Sequence, residues 1–146
     1  SYAPDPLPEV GLHNLQLRLE VGRGAVEAAA VCRIAEAHER ELLATPTGIH
    51  AGALPAVAGL VACDRAQVQL VSLAPAGDGR GLRLRLVNHG PACTAGLSLD
   101  GRLGRLRAAR RCDLLERPLA ELGLADGRLA IDLEEGALAT VLIETA

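Results

Sequence analysis

The sequence predicts a mainly β protein, an antiparallel β-sandwich of two sheets with one helix near residues 25–43. Three observations lead to this prediction. Apolar and polar residues alternate with a period of two in several short runs, as they do in strands with one buried face. Glycine, proline, asparagine and aspartate separate these runs as turns. Only residues 25–43 repeat their apolar side chains every three or four positions, which is the spacing of an amphipathic helix.

The N-terminal part of the chain is predicted to contain a lead-in, one strand, the helix and a long crossing. Three prolines within residues 1–10 indicate an extended lead-in. Residues 15–21 alternate leucine or valine with polar side chains, so they are predicted to form the first strand. After the helix, a crossing rich in glycine and alanine covers residues 49–59 and leads to a short strand at residues 60–62.

The C-terminal part is predicted as a series of short strands closed by tight turns. The predicted strands cover residues 68–75, 82–88, 95–99, 103–112, 129–134 and 137–144. Residues 76–81 form a glycine-rich hairpin connection, Asp100-Gly101 a second hairpin, and Asp126-Gly127 a further turn. In the predicted strand at residues 103–112, Leu106, Ala108 and Cys112 are expected to share one face. The final strand is apolar on both sides, which predicts a place in the middle of the sandwich.

Length, composition and charge limit the possible partners. A chain of 146 residues suffices for one domain, and residues 11–146 are predicted to form a single sandwich, the C-terminal part of a longer protein because Ser1 stands where a methionine would start the chain. The formal charge of −3 argues against nucleic acid, whose binding needs a basic surface. No apolar run is long enough to predict a membrane span.

The thiols and imidazoles are scattered along the chain. They are Cys32, Cys63, Cys93 and Cys112, and His13, His38, His50 and His89. Because no two cysteines form a C-x-x-C pair, we expect free thiols in a reducing, cytoplasmic setting, with one or two disulfides as the alternative. A composite metal site built from these side chains stays open as a further alternative. The sequence assigns no catalytic, cofactor-binding or metal-binding residue.

Charged side chains concentrate in three places, each predicted to be solvated. Two acidic clusters consist of Asp132, Glu134 and Glu135, and of Asp113 and Glu116. The basic cluster consists of Arg102, Arg105, Arg107, Arg110 and Arg111. Alternation places the first acidic cluster at a strand end on the polar side, which favours solvated carboxylates over catalytic ones. The arginines are expected to form a solvated strand face, with an acidic protein partner as the alternative.

The order of these elements resembles a known domain. The stretches that carry the resemblance are residues 11–15 with His13, the helix at 25–43, Leu54-Pro55 in the crossing, residues 68–76, residues 81–88, residues 113–116 and residues 135–142. Together they are similar to the C-terminal β-sandwich domain of glycoside hydrolase family 38, the α-mannosidases. Members usually carry aromatic side chains in the first strand, where this chain has Leu15 and Leu17.

The resemblance implies a function that lies mostly outside this chain. The family hydrolyses α-mannosides with retention, using two carboxylates and a zinc ion held by domains that precede this one. The implied function is therefore a non-catalytic domain that packs against the catalytic domains of the same parent, with no zinc ligand of its own. A free-standing carbohydrate-binding or protein-interaction sandwich is the alternative, although a single tyrosine offers few flat rings for sugars.

Overall fold

The mainly β class is confirmed in the computed structural model, which describes residues 11–40, 42–49, 51–53 and 55–145. The helix α1 spans Ala28–Glu39. The strands are β1 (Val61–Cys63), β2 (Val68–Pro75), β3 (Leu82–Asn88), β4 (Cys93–Leu99), β5 (Leu106–Cys112), β6 (Pro118–Glu121), β7 (Leu124–Ala125), β8 (Arg128–Leu133) and β9 (Leu138–Thr145). The predicted lead-in at residues 1–10 lies outside the described residues.

Two antiparallel sheets form the sandwich. One contains four strands in the order β1-β4-β8-β7, and the other contains five in the order β2-β3-β9-β5-β6. The C-terminal strand β9 lies at the centre of the five-stranded sheet, between β3 and β5. The prediction that the last strand occupies a middle position is therefore confirmed for its place in the sheet, while Leu138 on its outer face is 46% exposed.

The core lies between the two sheets and is built from small aliphatic side chains. Its fully buried members include Leu84 and Leu86 of β3, Leu97 of β4, Leu129, Ile131 and Leu133 of β8, and Val141 and Ile143 of β9. Those of β3, β4 and β8 belong to the apolar half of an alternating strand, so the period-two pattern identified the inner face of these strands correctly. Burying one such side chain contributes about 1.5–3 kcal/mol.

The predicted first strand is wrong, since residues 15–21 form no strand and belong to neither sheet. The leucines of this segment are 84–93% exposed. Alternation gives a chain one apolar side, but a strand also needs a neighbouring strand to accept its hydrogen bonds. The helix is shorter than predicted, Ala28–Glu39 instead of residues 25–43, and none of its residues is buried.

Two further predictions are wrong, one for the connection between β4 and β5 and one for β5 itself. Asp100-Gly101 closes no hairpin, because β4 and β5 belong to different sheets and a short 3₁₀ helix, Gly101–Leu103, makes the crossing. Leu106 and Ala108 do not share a face, because the pairing of β5 with β9 shifts between them and Arg107 forms a bulge. An extra residue in a strand reverses the side on which every following side chain lies.

Candidate functional site

The outer face of the five-stranded sheet carries arginines in place of apolar residues. In β3, Arg83 and Arg85 alternate with the buried Leu84 and Leu86, so they lie on the side away from the core. Strand pairing sets Arg85 between Ser72 of β2 and Thr140 of β9, and Thr140 in turn lies opposite Cys112 of β5. We call the four residues Ser72, Arg85, Thr140 and Cys112 the outer row.

A tight turn at residues 113–117 lies over the outer row and connects β5 to β6. The carboxylate of Asp113 accepts hydrogen bonds from the backbone N–H groups of Leu115 and Arg117, each at 2.9 Å. These bonds, that of Arg117 above all, lower the pKa of Asp113. The backbone of Glu116 has a φ of 65°, which is uncommon for a residue with a side chain. The turn is thus fixed from within by Asp113.

Glu116 fastens this turn to the sheet. Its Oε2 accepts a hydrogen bond of 2.7 Å from the backbone N–H of Gly77, in the hairpin between β2 and β3. Its Oε1 pairs with Nη1 of Arg83 at 2.6 Å, and the Glu116 side chain is 17% exposed. The N–H of Gly77, followed by Arg83, lowers the pKa of Glu116. We call this contact of Glu116 with Gly77 and Arg83 the Glu116 clasp.

The turn covers polar groups that have few partners. Thr140 is 1% exposed and Cys112 is 5% exposed, and burial raises the pKa of the Cys112 thiol. Within the described part of the chain, four buried polar atoms accept or donate no hydrogen bond: Ser72 Oγ, Arg83 Nε, Arg85 Nε and Thr140 Oγ1. All four belong to the face under the turn. Leaving these buried polar atoms unpaired lowers the free energy of unfolding, and favourable contacts elsewhere in the fold offset this loss.

Asn88 at the end of β3 joins both sheets. It is fully buried, and its backbone is paired with Gly136 and Ala137 ahead of β9. Its side chain contacts the carbonyls of Pro91, Leu133 and Glu134, the amide of Gln67 and the N–H of Gly90. Because Asn88 belongs to the five-stranded sheet and Leu133 to the four-stranded sheet, this side chain forms a hydrogen bond between the two layers.

The predicted acidic clusters have separate fates. Asp113 and Glu116 are brought together in the turn, and each is occupied by backbone donors and arginine. Asp132 accepts a hydrogen bond of 2.6 Å from the Thr94 hydroxyl, while Glu134 and Glu135 are exposed. Sequence reasoning missed the Glu116 clasp, since Gly77 and Arg83 precede Glu116 by 39 and 33 positions. The available signal was a pair of arginines on the polar side of a core strand.

Most of the predicted arginine cluster is engaged within the domain. Arg102 pairs with Asp100, whose pKa falls to about 2 because of that side chain and its backbone N–H. Arg110 pairs with Glu121 and Glu144 on the outer face. Arg111 donates a hydrogen bond of 2.9 Å to the carbonyl of Asp132 and so links the two sheets. Arg102 and Arg110 are thus paired with carboxylates of the same domain, and Arg111 is bound to a backbone carbonyl.

The thiols and imidazoles do not converge on a metal site among the residues that the structure describes. All four cysteines are free thiols. Nε2 of His89 lies 2.7 Å from Oε1 of Gln69, and His50 lies outside the described residues. No three His, Cys, Asp or Glu side chains in the described ranges come close enough to share an ion. The resemblance implies zinc only for the domains that precede this one, so we derive no zinc chemistry for this chain.

Comparisons with family models, with curated proteins and with solved structures find no match to this chain. Within the described ranges, α1 is the one α-helix, and it is too short and too polar to cross a bilayer. The main feature of the site is the Glu116 clasp. In it, the Glu116 carboxylate binds the Arg83 guanidinium and the Gly77 backbone N–H over the outer face of the sheet.

Proposed function

We propose that this chain is the non-catalytic C-terminal β-sandwich of an α-mannosidase-like retaining glycoside hydrolase, and that it serves as a scaffold for the catalytic domains of its parent. One observation supports the proposal: four of the seven stretches that resemble the family are neighbours in space. Residues 68–76 and 81–88 form the β2–β3 hairpin, residues 135–142 lead into β9 beside it, and residues 113–116 form the turn above it.

The contacts among these stretches are specific. Residues 113–116 reach the hairpin through the Glu116 clasp, and Leu114 accepts a bond of 3.2 Å from Nη2 of Arg85. Residues 135–142 reach the end of the hairpin through the backbone pairing of Gly136 and Ala137 with Asn88. The hairpin and the two other stretches are thus joined by direct contacts, and this proximity supports the proposal.

The chemistry of the clasp supports a scaffold over a catalyst. Retaining hydrolysis needs two carboxyl groups about 5 Å apart, one of them with a raised pKa to act as the acid. Glu116 and Asp113 have lowered pKa values instead, because backbone N–H groups and arginines stabilise their charged forms. Carboxylates held in this way order the fold, and they have no remaining proton to donate near neutral pH.

The proposal is tested by an activity assay on two proteins. The first is this chain alone, and the second is the polypeptide encoded by the whole reading frame that contains it. We expect the long protein to hydrolyse an aryl α-mannoside with retention of configuration, as followed by proton NMR of the released sugar, and the chain alone to show no turnover. Turnover by the chain alone would contradict the non-catalytic role.

A matched variant connects the clasp to the proposal. In the long protein, Glu116→Gln is expected to lower the temperature at which activity is lost while leaving KM unchanged, because Glu116 orders the scaffold and does not contact the sugar. Glu135→Gln is the control, since Glu135 is exposed. A long protein without α-mannosidase activity, or glycan binding by the chain alone in calorimetry, would favour the free-standing sandwich instead.

A further inference from the structure

The same tripeptide, Asp-Gly-Arg, occurs three times in connections of the sandwich. The three copies begin at Asp78, Asp100 and Asp126. An Asp-Gly step can rearrange, because the backbone nitrogen of the glycine can attack the side-chain carboxyl carbon of the aspartate. Glycine favours this attack, since it has no Cβ beside its nitrogen. The three copies share one sequence, so any difference between them in reactivity comes from the fold.

The rearrangement has two steps. A C–N bond forms between the glycine nitrogen and the aspartate carboxyl carbon, while the carboxyl loses its hydroxyl group and the amide its proton, together as one water. The product is a five-membered succinimide. One water then opens the ring at either carbonyl, which returns aspartate or gives isoaspartate, whose main chain runs through the side-chain carboxyl. The first step needs a free glycine N–H and a carboxyl that carries its proton.

At Asp78-Gly79 the fold engages both reacting groups. Oδ1 of Asp78 accepts a hydrogen bond of 2.8 Å from the backbone N–H of Arg80. The N–H of Gly79 donates 2.9 Å to the carbonyl of Ala76. These bonds lie within the connection between β2 and β3, and both must break before the nitrogen can reach the carboxyl carbon.

At Asp100-Gly101 the fold keeps the carboxyl ionised. Oδ1 of Asp100 accepts hydrogen bonds from the backbone N–H and the Nε of Arg102, at 2.9 and 2.7 Å, and Oδ2 lies 3.1 Å from Nη2. The Arg102 side chain, followed by its backbone N–H, lowers the pKa of Asp100 to about 2. Near neutral pH this carboxyl is therefore protonated more than about tenfold less often than an ordinary aspartate. An ionised carboxylate has no hydroxyl to lose.

At Asp126-Gly127 both reacting groups are free. Ala125 pairs with Arg128, so the two residues form the loop of the β7–β8 hairpin. Their φ angles of 51° and 72° are those of a type I′ turn. Both residues are exposed. Among the residues that the structure describes, the Asp126 carboxyl and the Gly127 N–H have no hydrogen-bond partner.

The β7–β8 hairpin also opens more easily than the other two connections. Its first strand, β7, has two residues, both exposed, and lies at the edge of the four-stranded sheet. Ring closure requires the turn to rotate, and local opening costs least where few residues are buried. Asp78 lies instead between β2 and β3, which pair over seven and eight residues, and Asp100 begins the crossing between the sheets.

We infer that the β7–β8 turn is a modification site, at which Asp126 converts to isoaspartate through a succinimide with Gly127. The inference goes beyond the proposed function and does not depend on it. Isoaspartate adds one methylene carbon to the main chain. A two-residue loop sets the register of its hairpin by its length, so the added carbon separates β7 from β8. β8 keeps its pairing with β4, and the sandwich stays folded.

Ageing the folded and the unfolded chain side by side tests the inference. Both are incubated at mildly acidic pH, one in buffer and one in urea, and isoaspartate is located by electron-transfer dissociation mass spectrometry. We expect all three sites to react at similar rates in urea, because their tripeptides are identical. In the folded chain, isoaspartate at residue 126 should exceed that at residue 100 by about tenfold or more, following the protonated fraction. An equal distribution in the folded chain, or a maximum at residue 78 or 100, would overturn the inference.

Two arginine variants test why the other copies are protected. Arg102→Ala removes the side chain that keeps Asp100 ionised, and it is expected to raise isoaspartate at residue 100 severalfold. Arg80→Ala is the matched control, because Arg80 binds Asp78 through its backbone N–H, and isoaspartate at residue 78 should stay the same. If Arg102→Ala left residue 100 unchanged, pairing of the carboxyl would not select the site, and the choice of Asp126 on that ground would be wrong.

Hydrogen–deuterium exchange tests the structural consequence. The aged chain is separated by chromatography into modified and unmodified fractions. In the modified fraction, the amides of β7 should exchange faster, while those of β3 and β9 keep their protection. Equal exchange of β7 in the two fractions would contradict the separation of β7 from β8. Asp126→Glu is the control variant, because its longer side chain forms a six-membered ring far more slowly, and it should yield no modified fraction at this site.

Discussion

Residues 15–21, which we call the N-terminal arm, share a sequence pattern with β3 but differ from it in burial. In both, leucines alternate with arginine or other polar side chains. Leu84 and Leu86 of β3 are 0% exposed, whereas Leu17 and Leu19 of the arm are 93% and 88% exposed. The difference shows that alternation determines which side of a strand is apolar, while burial depends on whether neighbouring strands reach it.

β3 gains β2 as a neighbour through a local turn, and it gains β9 through a close approach of the two backbones at Gly81. Residues 76–81 fold β2 back onto β3, with the N–H of Ala76 bonded to the carbonyl of Gly81 at 3.0 Å. Gly81 has a φ of 102°, and a Cβ on it would lie 2.1 Å from the carbonyl oxygen of Ile143 in β9. Glycine is thus required there for β9 to pair along β3. The arm is followed by α1 instead of a hairpin and gains no such neighbour.

The largest effect should come from truncating the same residue type in both segments. Leu84→Ala leaves a cavity in the core and is expected to lower the free energy of unfolding by about 2–5 kcal/mol. Leu17→Ala should change it by less than about 0.5 kcal/mol, because its side chain is exposed. Urea denaturation of the chain alone, followed by far-ultraviolet circular dichroism, measures both. A comparable loss in the two variants would mean that the arm packs on the sandwich in solution.

The next effect concerns the amide at the end of β3. Asn88→Ala removes the side-chain donor to the carbonyls of Leu133 and Glu134 and is expected to cost about 1–3 kcal/mol for the groups left unsatisfied. Asn14→Ala, just before the arm and exposed, is the matched control and should be neutral within about 0.5 kcal/mol. Chemical denaturation again provides the measurement. If Asn88→Ala were as stable as the control, Asn88 would not join the sheets in solution.

Much of the sandwich could be predicted from the sequence because its strands are local patterns. The runs that became β3 and β8 each show the alternation that their burial later followed. The crossing at Gly101–Leu103 could not be predicted, because Asp-Gly is compatible with a hairpin and with a turn between sheets. The bulge at Arg107 depends on pairing with β9, which sequence alternation does not specify.

The candidate site was less accessible to prediction than the fold. The Glu116 clasp needs the hairpin at Gly77, the outer side of β3 and a turn that begins after β5, and only the tertiary structure brings these together. Asn88 was recognised as the end of a strand, but its bonds to Leu133 and Glu134 span 45 and 46 positions. Contacts so distant in sequence leave no periodic signal.

A smaller effect is expected in the way the melting temperature of the sandwich depends on pH. Glu116 has a folded pKa below its ordinary value of about 4.3. A carboxyl of this kind contributes stability above its unfolded pKa and loses that contribution as the pH falls through the folded value. Glu116→Gln should therefore lower the melting temperature near neutral pH, and the difference from the unmodified chain should shrink as the pH falls below about 4.

The control for this experiment is a carboxylate in the arm. Glu20→Gln removes a charge paired with the exposed Arg18 and should leave the melting temperature unchanged at every pH. Thermal denaturation of the three proteins across acidic and neutral pH gives the comparison. A Glu116→Gln melting temperature equal to that of the unmodified chain at neutral pH would contradict a role for the clasp in stability.

The smallest effect on the sandwich should come from releasing α1, the element between the two regions. α1 has 12 residues, and none is buried. Helices of this length are marginal in water without tertiary support. The bond from Arg33 to the carbonyl of Ala66 supplies part of that support, so Arg33→Ala should speed hydrogen exchange throughout α1 while the melting temperature of the sandwich stays the same. Arg23→Ala, between the arm and α1, is the control and should change neither quantity. If Arg33→Ala also lowered the melting temperature, α1 would be part of the cooperative unit formed by β3 and its neighbours, and the boundary between the two regions would lie nearer to the arm.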